Sequence, residues 1–168
     1  HAELGLEVIH EHSLLDDIEA RHALMIEFAI RHHNKLALPA EGDEESLFLA
    51  KMLRDADKLD IFRVVTGYYR DNDSESLSAM LGLPDNDNIS EKICKEILEG
   101  RIPRMEHLAS CNDLKLMQMS WIYDINFPVT LRLIHQRAYM EMLYRSLPHL
   151  PVIKKIYNRI NQYIQTTV

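Results

Sequence analysis

Cysteine is almost absent from this chain. The two thiols, Cys94 and Cys111, stand far apart and in no metal-type spacing, which excludes a disulfide framework and a zinc ribbon and leaves core packing in a reducing compartment as their ordinary role. Glycine and proline are nearly as scarce, 5 and 6 in 168 residues, too few for the many tight turns of an all-β fold. No apolar run approaches the ~18 to 20 residues that cross a bilayer, and no charged-then-apolar leader opens the chain. A cytoplasmic location without membrane attachment is the expectation. A basic excess is missing too: 19 Lys and Arg against 26 Asp and Glu give a formal charge of −7. That charge repels a phosphate backbone unless the cations are gathered into one patch, and the sequence pattern presents none, so a nucleic-acid polymer is not the expected partner.

What is present is the composition of one folded, helical domain. The hydrophobic fraction is 46% and the charged fraction 27%, and the length suits a single core. Residues 2 to 12 place Leu4, Val8 and Ile9 on one stripe and Glu3, Glu7 and Glu11 on another, the pattern of an amphipathic helix. Ser13 or Asp16 can cap a second helix over Asp16 to Asn34, before Pro39 and Gly42 break the pattern. Asp43, Glu44 and Glu45 give the negative first turn of a long third helix over 43 to 70. A polar stretch and a loop around residues 83 to 88 leave room only for a short helix at 76 to 81. Ser90 to Gly100 is the next helical segment, and prolines then divide the remainder into helices of about 112 to 125, 129 to 146 and 152 to 165.

Three places carry residue types suited to chemistry: His1, the pair His32 and His33 at the end of the second helix, and Asp57 within the third. Imidazole and carboxylate are the ligands that hold transition metals at hydrolytic sites. Adjacent histidines point ~100° apart on a helix, so both reach one site only if the helix end splays them, which the approach to Asn34 would allow. The run Arg54-Asp55-Ala56-Asp57-Lys58-Leu59-Asp60 sets three carboxylates and two cations between strongly apolar flanks. On a helical wheel Arg54, Asp57, Asp60 and Ile61 share a face with Lys58 at its edge, whereas Asp55 points nearly opposite. Asp57 is thus the better ligand and Asp55 the better solvent-facing or capping residue; the bland alternative is a surface of i,i+3 ion pairs.

His1-Ala2-Glu3-Leu4-Gly5, Ala29-Ile30-Arg31-His32-His33-Asn34 and Ala56-Asp57-Lys58-Leu59-Asp60 together resemble the HD-domain metal-dependent phosphohydrolases, over roughly residues 1 to 66. The resemblance implies an all-α, HD-domain-like helical bundle, with residues 1–70 the C-terminal part of the metal-binding core and 71–168 a helical extension packed on it as one domain. It implies metal ligation by His1, His32, His33 and Asp57, catalytic roles for Asp57 and Lys58, and substrate phosphate held by Arg31 and Arg54. The cofactor would be one or two divalent ions, of Mn, Fe, Co, Ni, Zn or, less well, Mg. Its activity would be hydrolysis of a nucleotide or other small phosphorylated metabolite by a metal-activated water. The family's first His and its His-Asp doublet are not found, because the sequence begins with His1 rather than Met and after the point where they should occur. Either upstream helices supply them in the natural protein, or this is a degenerate HD-type signalling or interaction module without catalysis.

The second half is rich in Leu, Met and aromatic side chains between residues 110 and 144, which reads as core. Asp124 and Asn126 interrupt it before Pro128, where they could cap a helix or line the mouth of a pocket. This half is expected to select the substrate. The last helix, with Ile153, Ile156, Tyr157, Ile160, Tyr163 and Ile164, has an apolar face broad enough to dock internally or build a homodimer.

Overall fold

The computed structural model describes residues 2–70 and 82–168. His1 and the short helix expected at 76 to 81 lie outside the described residues. Within them the chain is all-helical, with no strand: α1 (Ala2–Glu11), α2 (Ala20–His32), α3 (Glu44–Arg70), α4 (Glu91–Leu98), α5 (Cys111–Ser120), α6 (Pro128–Gln136), α7 (Tyr139–Arg145) and α8 (Pro151–Thr167), with 3-10 turns at Met105–His107 and Trp121–Asp124. No helix among the described residues is long and apolar enough to cross a membrane. The chain divides into two compact units, His1–Lys58 and Leu59–Val168.

In the first unit α1 packs on α2, but not through the expected stripe. Ala2 and Leu6 are buried, whereas Leu4 and Val8 are exposed. The small side chains explain the choice: Gly5 faces Ile30, whose Cγ2 would lie 3.9 Å from an added Cβ, and Ala29 is buried on α2, so the helices meet through residues that allow close approach. The second helix starts later than the sequence suggests. Residues 12–18 form turns, with Ser13 at φ 51°, and the N-cap is Glu19, which makes no side-chain cap bond; neither Ser13 nor Asp16 has the capping role. At α3, Asp43 Oδ1 accepts from the Ser46 N–H at 3.0 Å, and this hydrogen bonding from Ser46 holds the Asp43 carboxyl below its ordinary value.

The second unit contains a large apolar core. Phe62, Ile93, Ile97, Leu116, Met119, Ile122, Leu131, Ile134 and Leu143 are fully buried with Ile153, Ile156 and Ile160, the last three one stripe of α8 spaced by three and four residues. Cys94 and Cys111 are buried and free. α4 ends in a Schellman motif, with Gly100 at φ 79°, the Gly100 N–H on Ile97 O at 2.9 Å and the Arg101 N–H on Glu96 O at 2.9 Å. The helix expected at 129 to 146 is two helices. Ala138, at φ 55°, takes the left-handed position where glycine is usual, at a cost of roughly 1–2 kcal/mol, and α7 restarts at Tyr139. The N-cap of α6 is Phe127, ahead of Pro128 at its first turn, and not Asp124 or Asn126.

Asp113 joins three segments of this unit. Its side chain, fully buried, accepts from the Ser90 N–H at 2.8 Å, the Ser90 hydroxyl at 2.5 Å and the Ala109 N–H at 3.0 Å. Ser110, the N-cap of α5, accepts from the Asp113 N–H at 3.1 Å and donates its hydroxyl to Asn88 O at 2.7 Å. One carboxylate in the first turn of α5 thus also ties down the start of α4, where negative charge is favoured at both helix N-termini. Asp113→Ala should strand buried donors and cost on the order of 3 kcal/mol, read as a lower urea midpoint with unchanged slope.

Lys115 is buried on the same helix, donating to Ser146 O at 3.0 Å and lying 5.0 Å from the centre of the Tyr69 ring. Burial pushes its ammonium below 10.5, so just under that pH the unfolded chain binds more protons than the folded one and stability rises with pH. Lys115→Met removes this gain. The stability of the unaltered protein relative to that variant should therefore increase as pH climbs toward 10.5, measured by denaturation at a series of pH values.

Candidate functional site

Of the sequence-selected residues of the first unit, Arg54 meets the backbone of His32 and His33 at the C-terminal end of α2. Any helix leaves its last carbonyls without intrahelical donors, and here a side chain from α3 supplies one. Arg54, 3% exposed, directs Nη1 at His32 O (3.3 Å), His33 O (3.1 Å) and Lys35 O (2.6 Å). A guanidinium at this point also meets the negative end of the helix dipole. Asp57 follows Arg54 by three residues on the same helix, a rise of about 4.5 Å, and is half-buried, as is Lys58.

The two histidines do not splay. His33 keeps helical backbone angles, φ −60° and ψ −34°, so its ring retains the ~100° offset from that of His32. His33 Nδ1 lies 2.7 Å from Ile30 O. A carbonyl only accepts, so Nδ1 carries the proton and, in the neutral ring, Nε2 carries the lone pair. That is the arrangement by which a backbone carbonyl orients an imidazole for a metal. The His32 ring lies against Phe28, centroids 4.5 Å apart at 45°, and lines a cleft of about 370 Å³ with Arg21, Leu24, Met25, Glu27, Phe28, Arg31, Asp43 and Ser46. Arg31 is exposed; Arg21 pairs with Glu45.

Asp55 reverses its expected orientation: it is 3% exposed, more buried than Asp57. A helical wheel orders faces but does not say which face meets protein, and here the Asp55 face does. The cleft residues Arg21, Phe28, Asp43 and Ser46 went unselected, although the Asp43-x-x-Ser46 spacing is a readable N-cap signal. For a divalent metal the donor types fit: an imidazole with its Nε2 lone pair set by a carbonyl, and a carboxylate on the neighbouring helix. Among the described residues no group of three or more His, Cys, Asp or Glu side chains could hold the ion. None of the protein-family models, curated proteins or solved structures compared with the chain matches it.

Removing the Arg54 guanidinium should cost more than an exposed ion pair would. Arg54→Ala should lower stability by about 3 kcal/mol, because buried carbonyls lose a charged donor. Arg54→Lys should recover only part of this, since the ammonium lacks the planar fork. Urea denaturation of both variants checks the order; equal stability of Arg54→Ala and the unaltered protein would remove the anchor.

Proposed function

We propose that the first unit is the metal-binding part of an HD-type phosphohydrolase acting on a nucleotide or other small phosphorylated metabolite. The observation that carries this reading is the Arg54 contact, which joins the backbone of His32 and His33 to the helix that bears Asp57 one turn on. A metal-binding role accounts for polar residues concentrated here and for the Nδ1 bond of His33. His33 through Nε2 and Asp57 through its carboxylate would hold the ion, with His1 a further candidate, while the His32 ring, set against Phe28, would line the cleft instead of joining His33. The ion would supply a water acidic enough to ionise near neutral pH.

The protein's own side chains then have separable tasks. Arg31, exposed beside the cleft, and Lys58 would bind phosphate oxygens as fixed cations. Arg54, facing three carbonyls, acts chiefly by holding the histidine turn in place. The apolar floor of Leu24, Met25 and Phe28 would exclude water around the non-phosphate part of a substrate. A second reading is a non-catalytic HD-type helical interaction module that keeps the scaffold without the metal.

Elemental analysis of the naturally produced protein beside its Asp57→Ala and His33→Ala variants separates the two. The hydrolase reading expects bound divalent metal, at least a tenfold loss of it in either variant, and parallel loss of phosphatase or phosphodiesterase activity on a nucleotide panel. Equal metal content would remove Asp57 and His33 from the site, and a folded, metal-free, inactive protein would favour the module.

A further inference from the structure

Six of the chain's 19 basic side chains but only one of its 26 acidic ones, Glu141, lie in the last 44 residues; that segment carries +5 and the preceding 124 residues carry −12. The overall charge of −7 hides this segregation. α8 holds Lys154, Lys155 and Arg159 and no carboxylate, and all three are exposed, as are Arg132 and Arg137 at α6. Many exposed cations elsewhere are matched, Lys35 with Glu3, Arg63 with Asp60, Arg101 with Glu99 and Arg104 with Glu106, whereas Arg31, Lys51 and Lys95 are exposed outside such pairs but are scattered singly among the acidic residues of the first 124 positions. Among the described residues, none of Arg132, Arg137, Lys154, Lys155 and Arg159 lies within ion-pair distance of a carboxylate.

An acidic chain has carboxylates to spare, so the gathering of five such cations on helices that pack together, in a segment with one acidic residue, favours an anion from outside. The rest of the surface narrows its class. The isoleucines of α8 are spent on the core, with Ile153, Ile156 and Ile160 0% and Ile164 2% exposed, so α8 has no apolar face to sink into a lipid interface. Beside the cations stand hydrogen-bonding groups: Asn158 and Gln162 exposed on α8, and His135, Tyr157 and Asn161 along a groove between α6, α7 and α8. Lys155 and Arg159 are one turn apart, about 6 Å along the helix, a spacing on the scale of a phosphodiester repeat. The groove also holds one carboxylate, Glu141, which is paired with Arg145; cations, amides and a phenol around a single neutralised carboxylate are the makings of a phosphate-backbone contact.

We infer that the exposed surface of α6–α8 binds the phosphodiester backbone of a nucleic acid, through Lys154, Lys155 and Arg159 with support from Arg132 and Arg137. Contacts to phosphate alone make the binding sequence-tolerant and steeply salt-dependent.

The test is fluorescence anisotropy of end-labelled single-stranded RNA, single-stranded DNA and duplex DNA of mixed sequence with the full chain, at about 50 to 200 mM salt. Vesicles containing phosphatidylserine form a separate arm. The triple variant Lys154→Glu/Lys155→Glu/Arg159→Glu should bind nucleic acid at least ~10-fold more weakly and reduce the steepness of log Kd against log salt by about 2 to 3, with circular dichroism and Tm unchanged. A charge-matched control, Lys51→Glu/Lys95→Glu/Arg104→Glu, should lose far less. Absence of binding at the lowest salt, equal loss in the control, or binding to vesicles but not to nucleic acid would overturn the inference.

Discussion

A single buried guanidinium holds the first unit's histidine turn to its long helix. A helix that ends inside a protein leaves carbonyl oxygens facing a medium that cannot hydrate them, and each one left unmet costs as much as a lost hydrogen bond. α2 ends with its carbonyls at His32 and His33 turned toward α3, where Arg54 Nη1 meets them together with Lys35 O. The contact has two consequences. It sets where the chain turns after α2, and it brings the imidazole-bearing turn beside the stretch of α3 that carries Asp57. Few apolar side chains are buried in this unit, namely Ala2, Leu6, Ala29 and Ala50, so a polar anchor has more to hold than it would in a large core.

The second unit solves the opposite problem with the opposite charge. Helix N-termini leave N–H groups unmet, and Asp113 in the first turn of α5 collects the Ser90 N–H and hydroxyl and the Ala109 N–H. A cation at a helix C-terminus and an anion at helix N-termini follow the same rule, that a buried charge is tolerated where backbone dipoles already favour its sign. The difference lies in what surrounds them. Asp113 sits beside an extensive core that would hold α4, α5 and α8 together anyway, so it sharpens a packing that apolar burial drives. Arg54 stands in a unit with little such burial, and the geometry of its turn rests on the polar contact itself.

Local chemistry was legible in the sequence wherever it alone decides structure. The negative first turn of α3, the Gly100 stop of α4 and the prolines opening α6 and α8 each mark an element boundary through backbone physics that acts within a few residues. The break at Ala138 was hidden because a left-handed residue there bears a methyl group instead of being glycine. The late start of α2 was hidden because Ser13 and Asp16 are good caps that the chain does not use as caps. In the candidate site the residue types could be read, but not which face of α3 meets protein. Asp55 is buried and α1 packs through Ala2 and Leu6 instead of Leu4 and Val8, since contact surfaces are chosen by neighbours that a helical wheel does not contain.

Charge constrains how any phosphorylated substrate could be held in the first unit. Residues 1–58 carry 13 acidic and six basic side chains, so the field there opposes an anion before any specific contact is made. Arg54 faces backbone carbonyls, and Arg21 is paired with Glu45. On the hydrolase reading Arg31 and Lys58 would meet the phosphate, and two exposed or half-exposed side chains supply little attraction in high dielectric. A divalent ion at His33 and Asp57 would change the sign of the local field at the place where the phosphate must sit. The same carboxylates that repel the substrate would recruit that ion, so an acidic first unit is consistent with phosphate chemistry only when metal binding comes first.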